Sequence, residues 1–175
     1  MHMIRAVIRH RITDVIITGA LPDGRVLVDH LMVGMHARQE IVRLGKAAPL
    51  NPSALDGVVA GIVAYLDGKI IDLSIIPLES GRVTEFRRSV LVAARRIPYG
   101  TTCTYSELAK MAGYPAAVRA VASVMRRNTI PLLIPCHRVI RSDGTIGGFC
   151  GSQAGEDVLL KRRLPEMEAR NRSGR

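Results

Sequence analysis

Ile and Val dominate residues 4–9 and 13–18, and these short apolar runs predict two β-strands. Leu21-Pro22-Asp23-Gly24 reads as a turn. Residues 25–30 follow as a third strand, with Val26 and Val28 set against Leu27 and Asp29, so the three predict an antiparallel meander. Residues 37–44 predict a short helix. A longer one opens at Asn51-Pro52-Ser53, with Asn51 as its cap and Pro52 in its first turn. Its apolar positions recur to Leu66, and Asp67-Gly68 ends it. A brief apolar run over 70–78 closes this half at Glu79-Ser80-Gly81.

Beyond Gly81 the pattern turns helical. Thr84 is placed to cap a helix reaching Arg96, with Phe86, Val90, Ala93 and Ala94 on one face, and Ile97-Pro98-Tyr99-Gly100 stops it. Thr104 followed three residues later by Glu107 forms a capping box for a helix over 105–111. Gly113-Tyr114-Pro115 turns the chain into an alanine-rich helix over 116–127, and the pair outlines a helix-turn-helix. The polar, basic stretch 166–175 reads as a frayed tail. The predicted fold class is α/β (α+β). A small antiparallel sheet with helices occupies residues 1–80, a mainly helical domain 84–164, and a basic tail 165–175.

Composition narrows the function classes. Of 175 residues 47% are hydrophobic, enough for a core and against disorder. The longest apolar stretches, 58–66 and 130–135, fall well short of the roughly 20 residues of a membrane span. The N-terminus lacks a secretory apolar run. Three cysteines fit a reducing compartment, so the expected location is the cytoplasm. The net charge of +10 is unevenly placed: residues 1–83 hold 9 Lys+Arg against 8 Asp+Glu, residues 84–175 hold 16 against 7. Arginines outnumber lysines by 21 to 4, and a guanidinium grips phosphate bidentately. The C-terminal half therefore predicts a polyanion-binding face.

The chemistry-bearing segment follows. Pro131 and Pro135 bracket an apolar run too short for a helix, and then Cys136, His137 and Arg138 stand side by side. A thiol reacts as thiolate, so it needs a base or a positive field. His137 supplies the base, directly or through one water, and Arg138 adds positive potential. Read alone, the dipeptide fits an inert, buried cysteine better than a nucleophile.

Pro135-Cys136-His137-Arg138-Val139 resembles the active-site motif of the O6-alkylguanine-DNA alkyltransferases, the methylated-DNA–protein cysteine methyltransferases. Thr84-Glu85-Phe86, Ile97-Pro98-Tyr99-Gly100, Thr104 to Ala109, Arg119-Ala120-Val121, Asn128, Gly144, Gly147 and Leu159-Leu160 recur in the family's order. The resemblance covers about residues 84–163. It implies DNA repair by direct reversal: one irreversible transfer of an alkyl group from guanine O6, with O4-alkylthymine as a second candidate lesion, to Cys136. No metal or organic cofactor is implied.

The same resemblance assigns roles. Cys136 is the nucleophile, His137 the base, Asn128 the brace of the cysteine turn, and Tyr105 the residue that turns the nucleotide outward and hydrogen-bonds the flipped base. The second helix enters the minor groove of duplex DNA, where Ala120 and its neighbours permit close approach and Arg119 fills the vacated stack. Arg126, Arg127 and Arg138 contact DNA. Met125, Pro131 and Phe149 line the alkyl pocket beside the loop carrying Gly147, and the backbones of Val139 and Cys150 read the guanine edge. A monomer is expected, with no membrane partner. The family's relay ends in a glutamate 27 residues beyond the cysteine, where this chain has Arg163. Either Glu166 takes the role, or the relay is incomplete and surrounding arginines activate the thiol. A binding module that flags alkylated DNA without repairing it is the alternative reading. A cysteine hydrolase is a third, disfavoured by the absence of a clear third triad member.

Overall fold

The computed structural model describes residues 3–20, 22, 25–44, 53–79, 83–146 and 155–173. The expected turn residues Leu21, Asp23 and Gly24, the helix start at Asn51-Pro52, and the pocket residues Gly147, Phe149 and Cys150 lie outside them. The chain divides into two compact units, Met1–Glu79 and Ser80–Arg175. Both mix helix and strand, and the larger sheet is antiparallel.

In the first unit β1 (Met3–Ile8), β2 (Val15–Ala20) and β3 (Leu27–Val33) form a sheet in the order β1-β2-β3. The register pairs Ile8 with Val15 and Val15 with Val33. The central strand is buried at Val15, Ile16, Ile17 and Ala20, so it carries the core. A bulge falls between Thr18 and Gly19. Glycine is required there, because a Cβ on residue 19 would lie 2.4 Å from the Leu27 carbonyl oxygen. Helix α1 (Gly34–Leu44) lays Ala37 and Ile41 on Ile16. A 3-10 turn at Ser53–Leu55 leads into α2 (Asp56–Leu66), which buries Val58, Ile62, Tyr65 and Leu66.

The second unit is built on local signals that agree with each other. Thr84 caps α3 (Glu85–Arg95), accepting from the Arg87 amide, and Val90, Ala93 and Ala94 form its buried face. β4 (Cys103–Thr104) pairs in parallel with β5 (Val139–Ile140). Thr104 then starts α4 (Tyr105–Met111) with a complete capping box: its hydroxyl accepts from Glu107 N, and Glu107 Oε2 accepts from Thr104 N at 2.6 Å. Such a cap contributes about 1 kcal/mol and fixes where the helix begins. Gly113 at φ +83° makes the turn into α5 (Val118–Arg126). Phe86 meets Tyr114 edge to face at 4.9 Å, joining α3 to this helix-turn-helix.

The last helix corrects an expectation. α6 runs from Glu156 to Ser173, straight through Pro165, so residues 165–173 are not a tail. An interior proline costs about 3 kcal/mol. Buried Leu160 and Leu164 and the hydrogen bonds of buried Glu168 offset that cost.

Candidate active site

A 3-10 turn over Cys136–Arg138 presents the thiol and the imidazole, and β5 follows it directly. The turn is held from both sides. Upstream, the buried Asn128 bridges the loop before the cysteine: its Oδ1 accepts from Ile130 N at 3.1 Å and its Nδ2 donates to Ile134 O at 2.9 Å. That amide also donates to Cys136 Sγ at 3.2 Å, and a donor aimed at sulfur stabilises negative charge on it. Within the bridged loop Leu132 sits at φ +69°, a costly conformation for a bulky residue. Its side chain is buried, so packing and the Asn128 bridge hold it in place.

Downstream, α6 packs against the turn. His137 and Glu168 are wholly buried, with Nε2 and Oε1 3.0 Å apart. Arg138 donates to both oxygens of the same carboxylate, from Nε at 3.0–3.2 Å and from Nη2 at 2.9 Å. Burial acts to raise the Glu168 pKa, but the hydrogen bonds and charges of His137 and Arg138 outweigh it and bring it to about 2. Burial pushes the His137 pKa down. Glu168 opposes that, and the charges of Arg138 and Lys161 reinforce it. The pair is therefore an ionised carboxylate beside a neutral imidazole. An ionised carboxylate only accepts, so Nε2 carries the proton and Nδ1 is the basic nitrogen.

This geometry overturns both readings of the relay acid. The carboxylate on His137 belongs to Glu168. Arg163 and Glu166 are both exposed. The reason is helical phase: Asp157, Leu160, Lys161, Leu164 and Glu168 form one buried stripe at spacings of three and four, and neither Arg163 nor Glu166 falls on it. Arg138 is turned inward. Beyond its bonds to Glu168 it donates from Nη1 to Ile97 O at 2.7 Å and lies over the Tyr99 ring at 5.7 Å, with its side chain 11% exposed.

Other expected residues fall as follows. Tyr105, the first residue of α4, is half-buried and close enough to Cys136 and Arg141 to feel both charges. Burial first, then the negative charge Cys136 carries once ionised, pushes its hydroxyl up, and Arg141 opposes them, so the phenol keeps its proton. Met125, Pro131 and Val139 are buried. Arg119, Ala120, Arg126 and Arg127 are exposed on α5 or at its end, while Val121 and Met125 face inward. The other thiol among the described residues, Cys103, is pushed up to about 11 by burial and by Glu107, which keeps it a neutral thiol.

Two residues escaped the sequence reading, Glu168 and Lys161. The signal for both was the α6 stripe, which the polar composition of 166–175 and Pro165 concealed. No group of three or more metal-ligating side chains occurs among the described residues, and none of the described helices is long and apolar enough to cross a membrane.

A family model described as the DNA binding domain of 6-O-methylguanine DNA methyltransferase matches residues 85–170. A methylated-DNA–protein-cysteine methyltransferase of Methanothermobacter thermautotrophicus is 45% identical over 117 residues, 67% of this chain and 62% of that protein. The match thus spans less than two thirds of that relative. The solved structure of Mycobacterium tuberculosis OGT in complex with DNA superposes with a TM-score of 0.73 at 27% identity, covering 98% of this chain and 94% of that one. The Mycobacterium tuberculosis methylated-DNA–protein-cysteine methyltransferase shares 36% of 118 aligned residues, 67% of each chain. Likeness on that scale, joined to a buried cysteine next in the chain to a histidine paired with a buried carboxylate, places the chain in the methylated-DNA–protein-cysteine methyltransferase family.

Proposed function

We propose that the protein repairs alkylated DNA by a single, irreversible transfer of the alkyl group from guanine O6 to Cys136. The observation that carries this reading is the pair of contacts on adjacent residues: Asn128 Nδ2 on Cys136 Sγ and Glu168 on His137. The thiol proton passes through a bridging water to His137 Nδ1. The sulfur then attacks the alkyl carbon in line with the C–O6 bond. A C–S bond forms, the C–O6 bond breaks, and its electron pair leaves with the guanine. Tyr105 donates its hydroxyl proton to the departing base, and the imidazolium proton restores the phenol through solvent. The thioether has no route back to thiol, so each molecule reacts once.

Guanine O6 lies inside the duplex and Cys136 is 3% exposed, so the nucleotide has to leave the stack, at a cost of a few kcal/mol. α5 is the reading element proposed for the minor groove. The exposed Ala120 permits close backbone approach, Arg119 fills the gap left by the flipped base, and Arg126 and Arg127 meet phosphates. Met125, Pro131 and Val139 would stand around the alkyl group. The protein acts as a monomer in this reading.

The test is to mix the protein with duplex DNA carrying O6-[methyl-labelled] guanine and to count label on protein. One methyl per molecule, on Cys136 by peptide mass spectrometry and absent from Cys136→Ala, is the expected result. Binding without transfer would leave a lesion-flagging module, label on Cys103 or Cys150 would move the nucleophile, and continuing turnover would indicate a hydrolase.

A further inference from the structure

The structure assigns to the second unit a phosphate-binding cleft, between the turn after β5 and the outer flank of α6, that takes one phosphodiester of the DNA backbone. The occupant rests on the repair reading above. No described lining residue belongs to α5 or to the relay of Cys136, His137 and Glu168. The cleft has a volume of about 820 Å³, with Ile140, Val158 and Pro165 as apolar wall. Arg141 lines it from the turn and Arg162 from the helix. Both arginines are exposed, and among the described residues neither side chain makes a salt bridge or a hydrogen bond.

Each arginine stands on a fixed backbone. Arg141 opens a closed turn: its amide donates to Thr145 O at 2.8 Å, its carbonyl accepts from Gly144 N at 3.0 Å, and Gly144 takes φ +79°. Asp143 is engaged inside that turn, accepting from the Thr145 amide and hydroxyl at 2.9 and 2.6 Å rather than pairing with Arg141. On the other wall, the buried stripe of α6 sets the helix phase and turns residue 162 outward. Like charges on facing walls, with apolar lining between them, focus the field and concentrate anions there. Glu166 stands one turn beyond Arg162, yet among the described residues the two form no salt bridge, so both guanidinium groups stay available. Two arginines against one carboxylate, Glu166, leave the lining a single positive charge in excess. That matches one phosphodiester, which carries a single negative charge and two free oxygens, one for each guanidinium. A terminal phosphate, at about −1.5 to −2 near pH 7, overfills the same space beside a carboxylate. The cleft also has a use in repair, because rotating a nucleotide out of the stack displaces its phosphates as well as its base. A backbone contact there positions the strand without reading its sequence.

The experiment measures binding of an O6-methylguanine duplex by the full chain in a Cys136→Ala background, so that nothing reacts, over a series of salt concentrations. Arg141→Ala, Arg162→Ala, their double variant and the Arg141→Lys, Arg162→Lys pair are compared with that parent. Because the two arginines share one phosphate, the double alanine variant is expected to lower the salt slope by about one. The lysine pair keeps the parent slope, since counter-ion release follows charge. A second arm replaces each backbone phosphate in turn by a neutral methylphosphonate. One position is expected to weaken binding by the parent and to leave the double alanine variant unaffected. An unchanged slope in that variant, a slope lowered by about two, or the absence of any such position would each overturn the site. Inorganic phosphate that shifts the side-chain nitrogen signals of Arg141 and Arg162, with the DNA slope unchanged in the variants, would mark a site for small anions instead. Wild-type protein that binds with these slopes but transfers no methyl group keeps the cleft and sinks the repair reading, which separates the two failures.

Discussion

Glu168 Oε1 lies 3.0 Å from His137 Nε2 with both side chains closed off from solvent, and Arg138 bonds both oxygens of the same carboxylate. A buried carboxylate is tolerable only when its charge is matched, and here a permanent guanidinium supplies the match. The imidazole gains a fixed tautomer and orientation without having to carry the positive charge itself. Glu168→Gln keeps the shape but removes the charge. It is expected to slow alkyl transfer about 100-fold, within the range typical of acid–base groups. Glu166→Gln, on an exposed position, leaves the rate unchanged. Single-turnover kinetics on the two variants decides between these carboxylates.

The same pair sets the response to acid. His137 has its pKa lowered by burial, so below 6.5 the unfolded chain takes up a proton that the folded chain refuses, and stability falls with pH from there. Glu168, depressed from 4.5 to about 2, contributes stability that is complete above pH 4.5 and lost as pH falls toward 2. Both slopes have the same sign. Denaturant melts from pH 8 to 3 are expected to show a continuous decline beginning near pH 6.5. In Glu168→Gln the second part, below pH 4.5, is diminished.

Much of this was legible in the sequence where the cause is local. Thr84 and Thr104 start their helices through bonds to residues three positions ahead, and Gly113 turns the chain by its own φ, so these features need no tertiary knowledge. The thiol turn was legible by resemblance, since Pro135 to Val139 stand unchanged from the family motif. Glu168 was hidden for a definable reason. Pro165 signals a helix end, and only the packing of Leu160 and Leu164 carries the helix past it. The inward bonds of Arg138 were not legible because its partners, Ile97 and Glu168, lie 41 and 30 residues away, beyond any local rule.

The inward turn of Arg138 separates it from the arginines of α5. If phosphate contacts come from Arg126 and Arg127, replacing either by alanine reduces the salt slope of DNA binding by about one. Arg138→Ala is expected to leave that slope unchanged and to lower stability instead, because a buried Glu168 is left with its charge unmatched. Breaking such a pair costs about 3–5 kcal/mol. Binding isotherms at several salt concentrations, beside denaturant melts, distinguish the two classes.

Asn128 predicts a joint loss of stability and reactivity. Its amide satisfies Ile130 N and Ile134 O and reaches Cys136 Sγ. Asn128→Ala strands two backbone groups in a buried loop, at about 1–3 kcal/mol each. It also frees Leu132 from the bridge that holds its left-handed conformation. Melts and transfer rates on this variant are expected to fall together, with slower transfer even under conditions where the fold is fully populated.

Gly100 offers the most distant route into the same site. It adopts φ +72°, where an alanine costs about 1–2 kcal/mol from backbone conformation alone. Its amide donates to Glu168 Oε2 at 3.0 Å, so the glycine is part of the carboxylate's cradle. A Cβ there would meet Arg172 Cδ at 3.0 Å, and Arg172 Cβ and the Glu168 carbonyl oxygen at 3.2 Å each. The arginine's outer atoms can move aside, but its Cβ and the backbone of α6 cannot do so without shifting the helix. Gly100→Ala is therefore expected to displace Glu168 from His137 as well as to destabilise the unit. Transfer should slow by more than the loss of folded protein accounts for. Adding Arg172→Ala relieves the contact at Cδ but not those at Cβ and the carbonyl, so rescue is partial. A Gly100→Ala protein that melts earlier yet transfers alkyl at the wild-type rate would show that this turn supports the fold without governing the relay.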